Sequence, residues 1–200
     1  MNVENKKMDT NERILHAAIE LIAEKSYKEV PTKEIAAKAS VSEMTLFRHF
    51  GSKKRMLVEA ADRFYYTVSM KKIFLEKIQW DLESDLLIIA ETYHKLIRKN
   101  KNLILIAIKE GNKIPDLLEQ INKHPRQLKD LLIEYFSQMQ DCGAMIPGNV
   151  EEYAMAFLYM NYGEFLSRSF VAGNMITSIP DSNFRKASVK LFARGLSVNS

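Results

Sequence analysis

The sequence predicts an all-α protein. Gly and Pro are scarce, at 7 and 5 of 200 residues, and runs of β-branched residues are short. Apolar residues recur at helical spacing along nearly the whole chain. We expect nine or ten helices: three short ones at the N-terminus, in residues 1–52, and a larger helical bundle in residues 53–200.

The first quarter of the chain carries signals for three short helices and the start of a fourth. The first is predicted to run from Thr10, as N-cap, to about Lys25. Pro31 suits the first turn of a second helix, which continues to Ala39. Ser42 fits the N-cap of a third helix. Ser52 fits the N-cap of a long fourth helix that ends near residue 77.

The remaining elements follow from apolar periodicity and from Pro and Gly positions. Residues 111–125 contain two prolines and are predicted to be the most irregular stretch, with Pro125 opening a new helix. Further helices are predicted over 81–100, 102–110, 117–121, 125–141, 150–174 and 181–196.

Several classes of function lack the residues they need. No apolar run reaches the roughly 18 residues required to cross a bilayer, and the polar N-terminus is unlike a secretory signal. The single cysteine, Cys142, cannot form an intrachain disulfide. We therefore expect a cytoplasmic protein without a membrane partner.

The sequence also offers little for catalysis or metal binding. Glu91 and His94 have the spacing of a carboxylate-bridged metal motif, but that motif needs a second copy, which is absent from the sequence. His16 and His124 have no acidic or cysteine partner at ligand spacing. No Gly-rich phosphate loop or nucleophile elbow occurs. We expect no metal, no cofactor and no enzymatic activity.

The basic residues are concentrated near the N-terminus. Residues 31–55 hold six Lys and Arg against two Glu, and this local excess favours a polyanionic partner. Three of the cations, Lys53, Lys54 and Arg55, begin a helix, where positive charge is unfavourable. A bound phosphate would reverse that effect. The alternative is a solvated charged surface.

The stretch TKEIAAKASVSEMTLFRHF predicts a helix-turn-helix. Ala36 is small enough for two helices to cross closely. The predicted shared core is Ile35, Ala39, Val41 and Leu46. The second helix of this motif is the predicted third helix of the chain. Its outer side then carries hydrogen-bond donors, an acceptor and an apolar tip, which suit base edges and phosphates. These outer residues are Glu43, Met44, Thr45, Arg48 and His49.

With ILHAAIELIAEKSY before it, this stretch resembles the N-terminal DNA-binding domain of the TetR/AcrR family of bacterial transcription regulators, over about residues 10–60. The resemblance implies DNA-binding roles for Thr32 and Lys33 on the backbone, and for Ser42, Glu43, Met44 and Thr45 in the major groove. It also implies that Phe47, Arg48 and His49 contact phosphate or base edges, and that Lys53 anchors a phosphate.

Three residues depart from the family pattern. Ser40 replaces the usual Gly of the turn, Met44 replaces a frequent Gly, and Phe47 replaces a Tyr whose hydroxyl commonly reaches phosphate. This protein is therefore expected to depend more on Arg48 and on the cations at 53–55. Glu43 can either read cytosine N4 or repel phosphate.

The resemblance further implies a homodimer on a palindromic operator, joined through the last two helices. The predicted interface residues are Tyr153, Ala154, Phe157, Asn161, Phe184, Ala187 and Leu191. Either stripe can instead be the core of a monomer.

A small-molecule effector, largely apolar, is expected between the middle helices. Its candidate residues are Trp80, Tyr93, Tyr135, Met139, Phe157 and Met160, although most aromatic and Met residues at helical spacing are plain core. The predicted function is a repressor released from DNA by this effector. The alternative is a DNA-anchored protein whose helical part binds a protein partner.

Overall fold

The computed structural model describes residues 8–64 and 68–198, which form ten α-helices. Their bounds are α1 Thr10–Glu24, α2 Thr32–Lys38, α3 Glu43–Phe50, α4 Lys53–Phe64, α5 Val68–Glu76, α6 Leu82–Lys99, α7 Lys101–Glu110, α8 Pro115–Asp141, α9 Val150–Phe170 and α10 Asp181–Leu196. These residues contain no β-strand, only an isolated bridge between Met145 and Ser197. The all-α prediction is confirmed. Within the same ranges, no helix has the length and apolar character needed to cross a membrane.

The helices group into two compact units. The first unit contains α1 to α4, nearly all of α7 and the start of α8, up to Ile121. The second contains α5, α6, the rest of α8, α9 and α10. The functional division predicted between residues 52 and 53 stays a prediction, since compactness does not say which residues bind a ligand.

In the first unit, α1 packs against α2 and α4. Its apolar side, including Ile14 and Ile22, is fully buried. The N-cap is Asp9 rather than the predicted Thr10. The Asp9 carboxylate accepts from the Glu12 backbone N–H at 2.7 Å, and the Glu12 carboxylate accepts from the Asp9 backbone N–H at 3.2 Å. This reciprocal arrangement places the cap one residue earlier.

The helix-turn-helix forms as predicted, from α2 and α3. Ile35 and Leu46 are fully buried between the helices and Ala36 is nearly so, whereas Val41 is only half-buried. The turn is made by Ser40, whose φ of 56° lies in the left-handed region. Here Ser40 takes the backbone conformation that the glycine of the family pattern would adopt without steric cost.

The stretch between α7 and α9 differs from the prediction. Instead of a short helix at 117–121 and a new helix from Pro125, α8 is continuous over 27 residues with Pro125 inside it. Pro115 takes the first position, where a missing N–H costs nothing. Pro125 removes one internal hydrogen bond. Buried apolar side chains on both sides, including Ile121 and Leu128, keep the helix intact.

Two other helix boundaries also differ from the prediction. Helix α9 ends at Phe170 rather than near residue 174, because Ala172 enters the left-handed region at φ 51°. The single helix predicted from Ser52 to residue 77 crosses residues 65–67, which lie outside the described residues. Its described parts are α4 and α5.

The second unit contains a buried histidine. His94 of α6 is 2% exposed, and its Nε2 lies 3.1 Å from Oδ1 of Asn161 on α9. Burial lowers the pKa of His94 to about 4, so the ring is neutral at neutral pH. Glu91 is exposed and His94 is buried. No group of three potential metal ligands occurs in the part of the chain that the structure describes.

Replacing Ser40 by Gly is expected to stabilise the protein. A left-handed non-glycine residue costs about 1–2 kcal/mol, part of which is offset by the extra freedom of glycine in the unfolded chain. The net gain should be about 0.5–1 kcal/mol, seen as a rise in Tm of roughly 1–4 °C by calorimetry. The matched control Ser40→Ala retains the Cβ atom and should not raise the Tm. Equal gains in both variants would contradict the strain explanation.

Candidate nucleic-acid interface and ligand groove

Helix α3 presents a distinct outer face. Leu46 and Phe50 fix its inner side in the core. On the outer side, Met44 is 81% exposed and Phe47 is 45% exposed. Ser42, Arg48 and His49 are also exposed. The predicted reading residues therefore lie together on the surface, and they combine apolar area with a cation and an imidazole.

The first turns of α2 and α3 are joined by side chains. The Thr32 hydroxyl donates to the Glu43 carboxylate, and the Ser42 Oγ accepts from the Thr45 backbone N–H at 3.1 Å. Thr32, Glu43 and Thr45 are all half-buried. Glu43 thus has a role that the sequence did not indicate, because it holds the start of the reading helix against the start of α2.

Several of the basic residues predicted to form the patch are paired within the protein. Lys38 lies 2.8 Å from a Glu20 carboxylate oxygen, and Lys54 lies 2.7 Å from Asp116. Such exposed pairs contribute little stability, but they reduce the positive charge that these residues offer to DNA.

Lys53 occupies a structural position. Its ammonium donates to the carbonyl oxygen of Val30 at 2.8 Å and to that of Tyr27. It also lies 4.3 Å from the centre of the Tyr27 ring, within the range of a cation–π contact. Partial burial lowers the pKa of Lys53. Two of its three N–H donors thus bind the chain between α1 and α2, and one is left for a phosphate. The role of Lys53 as a phosphate anchor stays a prediction.

Three cations remain available around α3. Lys33, Arg48 and Arg55 are exposed and make no ion pair with any residue in the described ranges. They come from the starts of α2 and α4 and from the later turns of α3. Arg55 was predicted only as a member of the run 53–55, and the individual phosphate contact at the start of α4 was assigned to Lys53. The basic run 53–55 indicated a phosphate contact, but the sequence could not show which of its three cations has no ion-pair partner within the described residues.

The second unit contains a groove between α5 and α8. Two cavities of about 340 and 260 Å³ share Lys71, Leu131 and Glu134 as lining residues. Of the predicted effector residues, Trp80 and Tyr135 line the smaller cavity. Neither cavity is lined by Tyr93, Met139, Phe157 or Met160. Tyr93, Met139 and Phe157 belong to the buried core, and Met160 is half-buried.

The residues predicted for a dimer interface separate into two groups. On α10, Phe184, Ala187 and Leu191 are exposed, Leu191 by 72%. On α9, Ala154, Phe157 and Asn161 are nearly fully buried in the chain's own core, and Tyr153 is half-buried. The buried α9 residues do not fit an interface role. The apolar residues of α9 itself occur on more than one side of the helix, so the sequence does not show which side faces the core.

The exposed side of α9 is a different stripe. It consists of Glu152, Ala156, Tyr159 and Gly163, and Tyr159 is 66% exposed. The Phe157 and Phe192 rings, 5.6 Å apart, pack α9 against α10.

The first unit contains a helix-turn-helix whose reading helix, α3, is exposed, and the second unit contains a groove. Together these features define a DNA-binding transcriptional regulator. Residues 14–60 match the family model for bacterial regulatory proteins of the tetR family. The chain is 35% identical over 190 residues to YvkB of Bacillus subtilis (strain 168), an uncharacterized HTH-type transcriptional regulator, covering 95% of this chain and 98% of YvkB. This protein belongs to the TetR family. It is therefore a transcriptional regulator and not an enzyme.

Solved structures support the same fold. NalD of Pseudomonas aeruginosa, the secondary repressor of the MexAB-OprM multidrug efflux pump, aligns with a TM-score of 0.72 at 18% identity, covering 96% of this chain and 98% of NalD. The TetR-family regulator PfmR of Thermus thermophilus aligns with a TM-score of 0.69 at 20% identity, covering 94% of this chain and all of PfmR.

Replacing Lys53 by Met should destabilise the free protein. The substitution removes charge-assisted hydrogen bonds to two carbonyl groups, which we expect to lower the free energy of unfolding by about 1–3 kcal/mol. Urea denaturation without DNA measures this change. The matched control Arg55→Met removes an exposed cation from the same helical turn and should leave stability within about 0.5 kcal/mol of wild type. A Lys53 variant as stable as the Arg55 variant would contradict the structural role.

Proposed function

We propose that the protein is a homodimeric repressor that acts on DNA in the cytoplasm and binds a palindromic operator. A small, largely apolar effector binds the second unit and releases the repressor from DNA. The observation that carries this proposal is the exposed outer face of α3, surrounded by Lys33, Arg48 and Arg55, which have no ion-pair partner among the described residues.

The chemistry of that face supports sequence-specific binding. Free cations bind phosphates and position the protein on the duplex. Arg48 and His49 can donate to base edges, and Met44 can contact a thymine methyl group. Since Lys53 is held by backbone carbonyls, Arg55 is the best candidate for the phosphate contact at the start of α4.

The exposed stripes of α9 and α10 support a dimer. Ala156 and Gly163 are small, so a partner helix can approach closely, while Tyr159 and Leu191 supply apolar area. An exposed apolar patch of this kind marks an interaction surface. A twofold arrangement through these helices would present two copies of α3 to the two halves of a palindrome.

The groove between α5 and α8 supports an effector. It is concave, and its smaller cavity is lined mainly by apolar side chains, as small-molecule sites are. The larger cavity adds the polar side chains Gln127 and Asp130. A ligand that binds better to the conformation with low DNA affinity would shift the population away from the operator.

One feature favours the alternative of a protein partner. The connection between α9 and α10 exposes four apolar side chains, Val171, Met175, Ile176 and Ile179. A regulator that binds a second protein through this connection would need no small molecule. Thermal stabilisation by a small ligand would favour the effector-controlled repressor.

Arg48 and Arg55 should carry the DNA affinity. We expect wild-type protein to bind a palindromic segment upstream of its own gene tightly at low salt and more weakly as salt rises. Arg48→Ala and Arg55→Ala should each weaken binding and reduce the salt slope by about one. Fluorescence anisotropy at several salt concentrations measures both quantities.

The matched control is Lys54→Ala, which removes a cation that is already paired with Asp116. It should change the affinity less than either arginine variant does. Wild-type binding that is equally weak on the palindrome and on scrambled DNA would refute the specific regulator.

Leu191→Glu should weaken the homodimer. A charge at this exposed position of the α10 stripe must be desolvated when a partner covers it, so we expect the dimer dissociation constant to rise at least about tenfold. Analytical ultracentrifugation measures this constant. The matched control Ile108→Glu, at a residue of α7 that is 56% exposed, should leave the constant unchanged. A dimer unaffected by Leu191→Glu would show that this stripe is not the interface.

A further inference from the structure

Trp80 lies at the edge of the groove in an unusual conformation. It is the only tryptophan of the chain, and its φ of 62° lies in the left-handed region, which bulky residues rarely adopt. The residue is 52% exposed. A large apolar ring has thus been placed at a strained position without being buried, and such strain is concentrated at binding sites.

The ring is half of a stacked pair. The centres of the Trp80 and Tyr135 rings lie 5.8 Å apart, with 23° between the ring planes. Tyr135 is buried and supports one side of the indole. Trp80 lines the smaller cavity, and about half of the residue is accessible, 52%.

A buried carboxylate holds the Tyr135 ring and the backbone next to Trp80. Asp85 is fully buried, and its two oxygens accept from different parts of the site. Oδ2 accepts from the Tyr135 hydroxyl at 2.9 Å, and Oδ1 accepts from the Gln79 backbone N–H at 2.8 Å. One side chain therefore holds the supporting ring and the residue directly before Trp80. The stacked pair is organised before any ligand binds, which reduces the ordering cost of binding.

The rest of the groove determines which molecules can stack there. The smaller cavity, about 260 Å³, is also lined by Phe74, Ile78 and Leu131. Lys71 on α5 supplies one positive charge, and Glu134 on α8 supplies one negative charge. The adjoining cavity adds Asp130, so an anionic ligand would meet an excess of carboxylates.

We propose that the groove binds planar aromatic molecules without net negative charge, which stack on the exposed indole of Trp80. This inference rests on the proposed effector-controlled function and names the chemical class of its ligand. Packing alone does not explain Trp80, since a left-handed turn at the surface is better served by Gly or Asn.

The test compares three small probes by calorimetric titration of full-length protein without DNA. They are 2-naphthol, a neutral aromatic; octan-1-ol, a neutral aliphatic; and 2-naphthoate, an anionic aromatic. We expect 2-naphthol to bind at least about tenfold more tightly than either other probe. It should also shift the single indole N–H resonance in a nitrogen–proton correlation spectrum, which reports directly on Trp80.

Variants of Trp80 separate the ring from the fold. Trp80→Asn removes the ring at a position whose left-handed backbone Asn tolerates, so the Tm should not fall while 2-naphthol affinity drops at least about tenfold. Trp80→Phe retains a ring for stacking and should lose less than Trp80→Asn. The matched control Ile108→Asn replaces an exposed apolar residue of α7 and should leave 2-naphthol affinity unchanged.

Each contrary result has a distinct meaning. Equal binding of octan-1-ol and 2-naphthol, or full 2-naphthol affinity in Trp80→Asn, would overturn the proposed aromatic site. Failure of wild type to bind any probe would overturn it too, without affecting the DNA titration. If 2-naphthol binds as expected but leaves operator affinity unchanged, the aromatic site stands and effector-controlled release by this ligand class fails.

Discussion

The reading helix depends on the burial of a few side chains between α2 and α3. These helices have 7 and 8 residues, and helices so short are not stable alone in water. Ile35 and Leu46 are fully buried, and Ala36 is small enough for the helices to cross closely. Because this contact fixes the inner side of α3, it also fixes which side chains face outward, and every DNA contact proposed for α3 follows from it.

The positive charges near α3 have two different roles, structural support and DNA binding. Only the groups that each side chain contacts show which role it has. Lys53 binds the carbonyl groups of Tyr27 and Val30, whereas Arg55, two residues later, is exposed. The first holds the chain between α1 and α2 in place, and the second is free to meet a phosphate. A loss of DNA affinity on changing Lys53 must therefore be compared with the stability of the free protein before it is assigned to a lost phosphate contact.

The second unit uses a buried carboxylate in a comparable way. Asp85 has no solvent exposure, so it must be paired to offset the cost of burial. Its partners are the hydroxyl of Tyr135, whose ring stacks on Trp80, and the backbone N–H of Gln79, directly before Trp80. A polar group in the core thus determines the shape of an aromatic surface at the edge of the groove.

The sequence by itself determined the helical class, the helix-turn-helix with its cap at Ser42, and the outward set on α3, because these depend on local spacing and on a short-range pattern of apolar residues. Only the tertiary structure decided the rest. It showed that Pro125 lies inside α8, since burial on both sides compensates for the lost hydrogen bond. It placed Ala154, Phe157 and Asn161 in the core, since apolar residues occur on more than one side of α9 and only its neighbours select the buried side. It also separated Lys53 from Arg55, because the partner of a long side chain comes from residues distant in the sequence.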